Sequence, residues 1–157
     1  VDAKLVVPRL QHTDIPERIR NVSLFDTRMQ KSQLLEYKAI VVLEGNDVST
    51  SLKWVLLSNS VVLAAETPTF TSWAMEELLE PWVHYVPLKP ERWDVEEKMQ
   101  WILDHDAEAQ AIARRGSLWV RDLWFHPDAA QDDVAITEEM MRRYASHFVH
   151  DDSLSLD

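Results

Sequence analysis

The chain alternates between two hydrophobic periods. Ile40–Leu43, Ser60–Ala64 and Val83–Leu88 are short apolar runs with β-branched content, the pattern of buried strands. From Val48 the apolar residues fall at Val48, Leu52, Val55 and Leu56, the spacing of one helix face, with Asn46 or Asp47 in position to cap it. Ser72 to Leu79 reads as a short helix that stops before Pro81. Asp94 is placed to cap a helix with Val95, Met99, Ile102 and Leu103 on one face, and Glu97 occupies a capping-box position. Asp106 to Arg115 is alanine-rich and helical in pattern. Gly116 either ends that helix or lets it pack closely before Leu118–Trp124. A last helix is expected over Thr137–Phe148, with Met140, Met141, Tyr144 and Phe148 inward. Around Thr27–Tyr37 the pattern suits either a helix or an irregular approach to the first strand. Alternating strands and helices predict an α/β fold: a Rossmann-like parallel sheet with crossover helices and further helices at the C-terminal end.

Composition narrows this picture. Over 157 residues the chain is 46% hydrophobic, with seven tryptophans and only two glycines, which suits a packed domain. It has no cysteine, which removes disulfides, thiolate metal sites and a cysteine nucleophile, and fits a cytoplasmic protein. No apolar run approaches the ~18 residues of a membrane span, and no signal peptide is visible. The formal net charge is −11, and the charge is uneven. Residues 1–43 hold seven Lys/Arg against five Asp/Glu, whereas residues 44–157 hold nine against twenty-two. That acidity excludes nucleic acid as a partner, since phosphate backbones need a basic face. The domain reading is a trailing segment or linker over 1–35, a ligand-binding domain over 36–149 and an acidic tail over 150–157.

The stretch EGNDVSTSLKW, Glu44 to Trp54, is the best candidate for chemistry. It leads from a strand into a helix, and in parallel sheets ligands gather at such carboxyl-end loops. The first amides of a helix lack intrahelical partners and attract anions. Ser49, Thr50 and Ser51 supply three hydroxyls in the first turn, and Lys53 adds a point charge behind them. Asp47 suits a cap or a ligand hydroxyl. Two roles fit the same residues: a phosphate cradle, or a helix start whose hydroxyls face water. The G-x-G-x-x-G turn of dinucleotide-binding dehydrogenases is absent.

YKAIVVLEGNDVSTSLKWVLLSNSVVL (Tyr37–Leu63) followed by TSWAMEELLEPWVHYVPL (Thr71–Leu88) resembles glycosyltransferase family 90. This is the family of fungal capsule-associated proteins, animal protein O-glucosyltransferases and bacterial lipopolysaccharide-modifying transferases. The stretch Ala109–Leu123 is similar to the family's closing helices. The resemblance implies a GT-B enzyme of two Rossmann-like domains, with this chain as the C-terminal, donor-binding part. It implies a nucleotide sugar, UDP-glucose or UDP-xylose, as donor, no metal, and a glycan, lipid-linked or protein hydroxyl as acceptor. It also implies a cytoplasmic setting, with peripheral association at the inner face of a membrane for the lipopolysaccharide modifiers. The donor-contacting positions carried over are Asn46, Asp47, Val48, Ser49, Thr50 and Ser51, with Lys53 as the nearest base. Animal members place an arginine where Ser51 stands. The family's acidic catalytic base belongs to the N-terminal half, so no catalytic residue is assigned. The alternative is a nucleotide-binding or structural fragment that performs no chemistry.

Other groups have simpler explanations. Glu76, beside Glu77, suits the ribose hydroxyls of a donor by analogy with other GT-B enzymes, or else a solvated helix face. His84 and Tyr85 suit core or edge positions with one satisfied hydrogen bond. Asp104-His105-Asp106 has a D-x-D form but falls between two helices, where Asp106 is a good cap, and His147, His150 and Asp151 lie in acidic, solvent-facing sequence. Most of the tryptophans have core spacing. Trp73 and Trp82 flank the cleft motif, where an indole face could meet a sugar.

Overall fold

A computed structural model describes residues 29–89 and 94–148 in full, and within residues 1–28 the backbone pairing of four two-residue strands. Of these, β1 (Leu5–Val6) pairs in parallel with β4 (Phe25–Asp26), and β2 (Arg18–Ile19) pairs antiparallel with β3 (Val22–Ser23). A single-turn helix, α1 (Lys31–Leu34), then leads into the central sheet. The sheet consists of β5 (Ala39–Val41), β6 (Val61–Ala65) and β7 (Val86–Leu88) in that order, all parallel. Ala39 lies opposite Val61, and Leu63 opposite Val86, so the carboxyl ends of β5 and β6 meet on one edge of the sheet.

Parallel strands buried on both faces need continuous apolar sequence, and Val61, Val62 and Leu63 are all below 3% exposed. Alternation within β6 divides the core. Val61 and Leu63 face Val86, Leu88 and Ile102 with Ala109, Ile112 and Ala113. Val62 faces Val42, Val55, Leu56, Leu79, Tyr85 and Val120. The first cluster is covered by α3 (Val95–Asp104) and the first half of α4 (Asp106–Phe125); the second by α2 (Leu52–Leu56) and the second half of α4.

Helix α4 runs unbroken through Gly116, which is buried. A Cβ there would stand 2.7 Å from the His84 carbonyl oxygen and 2.8 Å from Leu56 Cδ2. Of the two roles open to this glycine, close packing is the one the structure uses.

Three expectations are corrected. The segment after β5 does not open a helix at Val48: bends and a turn carry the chain to Leu52, and α2 has only five residues. Asp47 therefore caps no helix; its Oδ1 accepts from the Val48 N–H at 2.7 Å. Between β6 and β7 there is only a short 3₁₀ turn, Glu76–Leu78, in place of a helix from Ser72. The last helix, α5 (Ala129–His147), begins earlier than expected and buries no residue, leaving Met140, Met141, Tyr144 and Phe148 about 60% exposed. Helical spacing identifies a face but not its neighbour, and nothing among the described residues covers this one. The acidic tail over 150–157, with His150 and Asp151, and Trp93 lie outside the described residues.

Candidate active site

A cavity of about 520 Å³ opens at the carboxyl ends of β5 and β6. Its floor and walls include Val42, Val48, Leu52, Leu79 and Tyr85; Pro68, Thr69 and Phe70 border it from the loop after β6. The polar groups that line it include Glu44, Ser49 and Glu76.

Glu76 is the best-defined of these. Its position depends on Met75, which adopts a left-handed conformation (φ 52°) unusual for a side chain with a Cβ. The reversal leaves Met75 at the surface and buries Glu76 to 4% exposure. The carboxylate accepts from the Ser72 N–H at 2.7 Å, from the Ser72 hydroxyl at 2.8 Å and from Lys53 Nζ at 2.8 Å. Burial is the strongest influence on Glu76 and opposes ionisation. The Lys53 ammonium, with the Ser72 hydroxyl and amide, outweighs it and holds the carboxyl below its ordinary value. Its own backbone N–H is a further donor, and because the carboxylate borders the cavity, a ligand hydroxyl there would share its oxygens with these partners.

Lys53 is correspondingly committed. Its ammonium also reaches Ser72 Oγ at 3.0 Å and lies 5.5 Å from the centre of the Trp73 ring, and its side chain is only 13% exposed. Lys53 thus faces Glu76 from α2 rather than standing open at the loop.

Glu44 ties the two loops together. Its carboxylate accepts from the Thr69 N–H at 3.0 Å and the Phe70 N–H at 3.2 Å, which fixes the loop after β6 against the end of β5. Tyr85 closes the inner wall. Its hydroxyl donates to the Glu66 carbonyl at 2.8 Å, and burial, with the nearby Glu66 charge, pushes the phenol up to about 12.

Of the sequence-derived positions, Val48, Ser49 and Glu76 line the cavity, whereas Asn46, Asp47, Thr50, Ser51 and Lys53 do not. Asn46, Asp47 and Thr50 are exposed, and Ser51 Oγ is 2.9 Å from Ser49 Oγ. Glu44, Phe70 and Tyr85 escaped sequence reading as site residues. For Glu44 the usable signal was an acid at the end of a strand, followed at once by Gly45; its amide partners lie 25 and 26 residues away. His84 lies outside the cavity. Its Nδ1 accepts from the Glu80 N–H at 2.9 Å, its ring meets Trp119 edge-on, and burial lowers its pKa. Asp104 and Asp106 are engaged by Gln100, Gln110 and Lys38. Among the described residues no three His, Asp or Glu side chains converge, and no helix is long and apolar enough to cross a membrane.

The family profile "Glycosyl transferase family 90" matches residues 3–150. The chain is similar to the O-glucosyltransferase LpsA of Dichelobacter nodosus, 38% identical over 92 residues, covering 59% of this chain and 29% of that protein. It is also similar to protein O-glucosyltransferase 3 of Homo sapiens, 38% identical over 88 residues, covering 56% of this chain and 17% of the other. An uncharacterized protein, 035R of Invertebrate iridescent virus 3, is 32% identical over 96 residues, 60% of this chain and 9% of the viral protein. The chain spans less than a third of the length of these relatives.

Proposed function

The chain belongs to glycosyltransferase family 90, and on that premise we propose that its parallel sheet forms the nucleotide-sugar site of a GT-B glycosyltransferase. The observation that carries this reading is the cavity at the carboxyl ends of β5 and β6, with a buried, ionised Glu76 in its wall. The apolar surfaces of Val42, Val48, Leu79 and Tyr85 suit the flat faces of a uracil ring. The ionised Glu76 carboxylate, bordering the cavity, suits a ribose hydroxyl.

Two carboxylates, Glu44 and Glu76, line this cavity, and a diphosphate placed between them would be repelled. The neutral nucleoside is therefore assigned to the interior and the diphosphate to the rim. There the Ser49 hydroxyl and the loop from Asn46 to Ser51 provide donors. Lys53 acts through Glu76 by keeping it charged and in place. Donors already ordered at the rim would stabilise the charge that develops on the leaving diphosphate as the sugar passes to an acceptor hydroxyl. The donor is proposed to be UDP-glucose or UDP-xylose, and the acceptor a glycan, lipid-linked or protein hydroxyl. Catalysis is assigned to the whole protein, and donor binding to this part.

Calorimetric titration with uridine, 2′,3′-dideoxyuridine, UDP and UDP-glucose tests the reading. Uridine and the UDP ligands bind, and dideoxyuridine binds more weakly. In Glu76→Gln that preference narrows by about tenfold, the difference between a charge-assisted and a neutral hydrogen bond. Lys53→Ala weakens uridine and UDP to the same extent. Heats that stay at the dilution level with millimolar UDP would sink the donor site.

A further inference from the structure

We infer that Trp73 and Trp124 form a stacking subsite for a pyranose ring of the acceptor, beside the cavity. The inference rests on reading that cavity as the donor site. The two indoles come from distant parts of the chain, the loop after β6 and the end of α4. Their ring centres are 5.4 Å apart with the planes tilted by 36°. Trp73 is 59% exposed and Trp124 42%, so the pair presents its surface to solvent while its members support one another.

A continuous set of contacts joins this platform to the cavity. Glu76, in the cavity wall, is bonded to Ser72 and Lys53; Ser72 adjoins Trp73 in the chain, and Lys53 Nζ lies 5.5 Å from its ring centre. The loop is held from behind as well, since Trp119 Nε1 donates to the Ala74 carbonyl at 3.3 Å. The indoles are therefore anchored to the same network that orients Glu76.

Size and surroundings select the ligand. Together the two indoles expose about the surface of one whole tryptophan, on the order of 250 Å². A stable protein interface buries ~800 Å² per partner, so the pair alone is too small for one. A single sugar ring is smaller: its C–H face can cover an indole while its hydroxyls stay in water. The placement suits an acceptor whose hydroxyl must reach a donor sugar emerging from the neighbouring cavity.

The test is saturation-transfer NMR on the whole chain with methyl β-D-glucopyranoside and methyl β-D-galactopyranoside, with and without UDP. Saturation passes from the aromatic region to the ring C–H protons of at least one glycoside. Trp73→Ala and Trp124→Ala each weaken the glycoside by about fivefold or more, and Trp73→Phe weakens it less because a ring remains. Trp124→Ala, which meets Trp73 and not Lys53, keeps the affinity for UDP of the unsubstituted chain, and far-UV circular dichroism shows that all three variants are folded. Glycoside signals unchanged in both alanine variants, or absent from the unsubstituted chain, overturn the subsite. Sedimentation that shows a dimer lost in Trp73→Ala assigns the patch to a second copy and also overturns it. The UDP titration tests the cavity and the glycoside signals test the platform, so the two readings fail separately.

Discussion

At Lys53 a single ammonium faces a carboxylate 2.8 Å away in a site that neither side chain shares much with water. Breaking such a pair from one side leaves a buried charge without compensation, typically costing about 3–5 kcal/mol. Lys53→Met should therefore lower the unfolding free energy by that order, measured by urea denaturation. Adding Glu76→Gln in the same chain should restore part of the loss, because the orphaned charge is gone. The pair also sets a pH dependence. Glu76 titrates below its ordinary value of 4.5 in the folded chain, so its contribution is complete above that pH. It is lost as the pH falls through the lower folded value. Urea melts from about pH 6 down to about pH 3 should show the unsubstituted chain losing stability more steeply below 4.5 than Glu76→Gln. Equal slopes would mean that Lys53 and Ser72 do not hold the carboxyl down. At this scale the sequence showed which groups are present and not which of them meet. Lys53 and Glu76 stood out as candidates, but their pairing across 23 residues depends on Met75 turning the chain left-handed.

Among the elements, α4 is the one whose packing leaves least tolerance. Gly116→Ala would improve intrinsic helix propensity by roughly 1 kcal/mol. The new methyl would, however, lie 2.7 Å from the backbone carbonyl of His84, which cannot rotate away, and 2.8 Å from a Leu56 methyl. Steric conflict should win, lowering stability by about 1–3 kcal/mol in thermal or urea unfolding. A stabilised variant would show that α4 and the His84 turn move apart freely. Helix α5 is the opposite case, since none of its residues is buried. Its backbone amides should exchange with deuterium well before those of Ala109 to Val120 in α4, because only local opening is needed. Periodicity located both helices and the start of α4 at Asp106, but it set the start of α5 too late and its apolar face inward. An amphipathic pattern shows where an apolar face lies, and only a neighbouring element decides whether that face is buried. The short α2 follows the same rule: Val48 has the spacing of a helix face, but the chain uses it to line a cavity.

For the whole molecule the central prediction is linkage. A ligand bound only by the folded chain stabilises it by about 2.7 kcal/mol at a hundredfold excess over its Kd. UDP should thus raise the melting temperature by a few degrees, and Glu76→Gln should shift the concentration at which this occurs. A melting temperature that does not respond to UDP would leave the cavity without its proposed ligand.

By itself the sequence determined the family, the parallel α/β class and a loop that borders the candidate cavity. Continuous apolar strands and an ordered pair of motifs are local properties of a chain, and they survive being read in one dimension. Tertiary structure decided which carboxylates face the cavity, why Lys53 is engaged by Glu76, where the indoles of Trp73 and Trp124 meet, and that Gly116 is a contact point instead of a helix end. Each of these depends on distances between residues far apart in the chain, set by how the β6–β7 connection and α4 pack on the sheet, and no local pattern encodes such a distance.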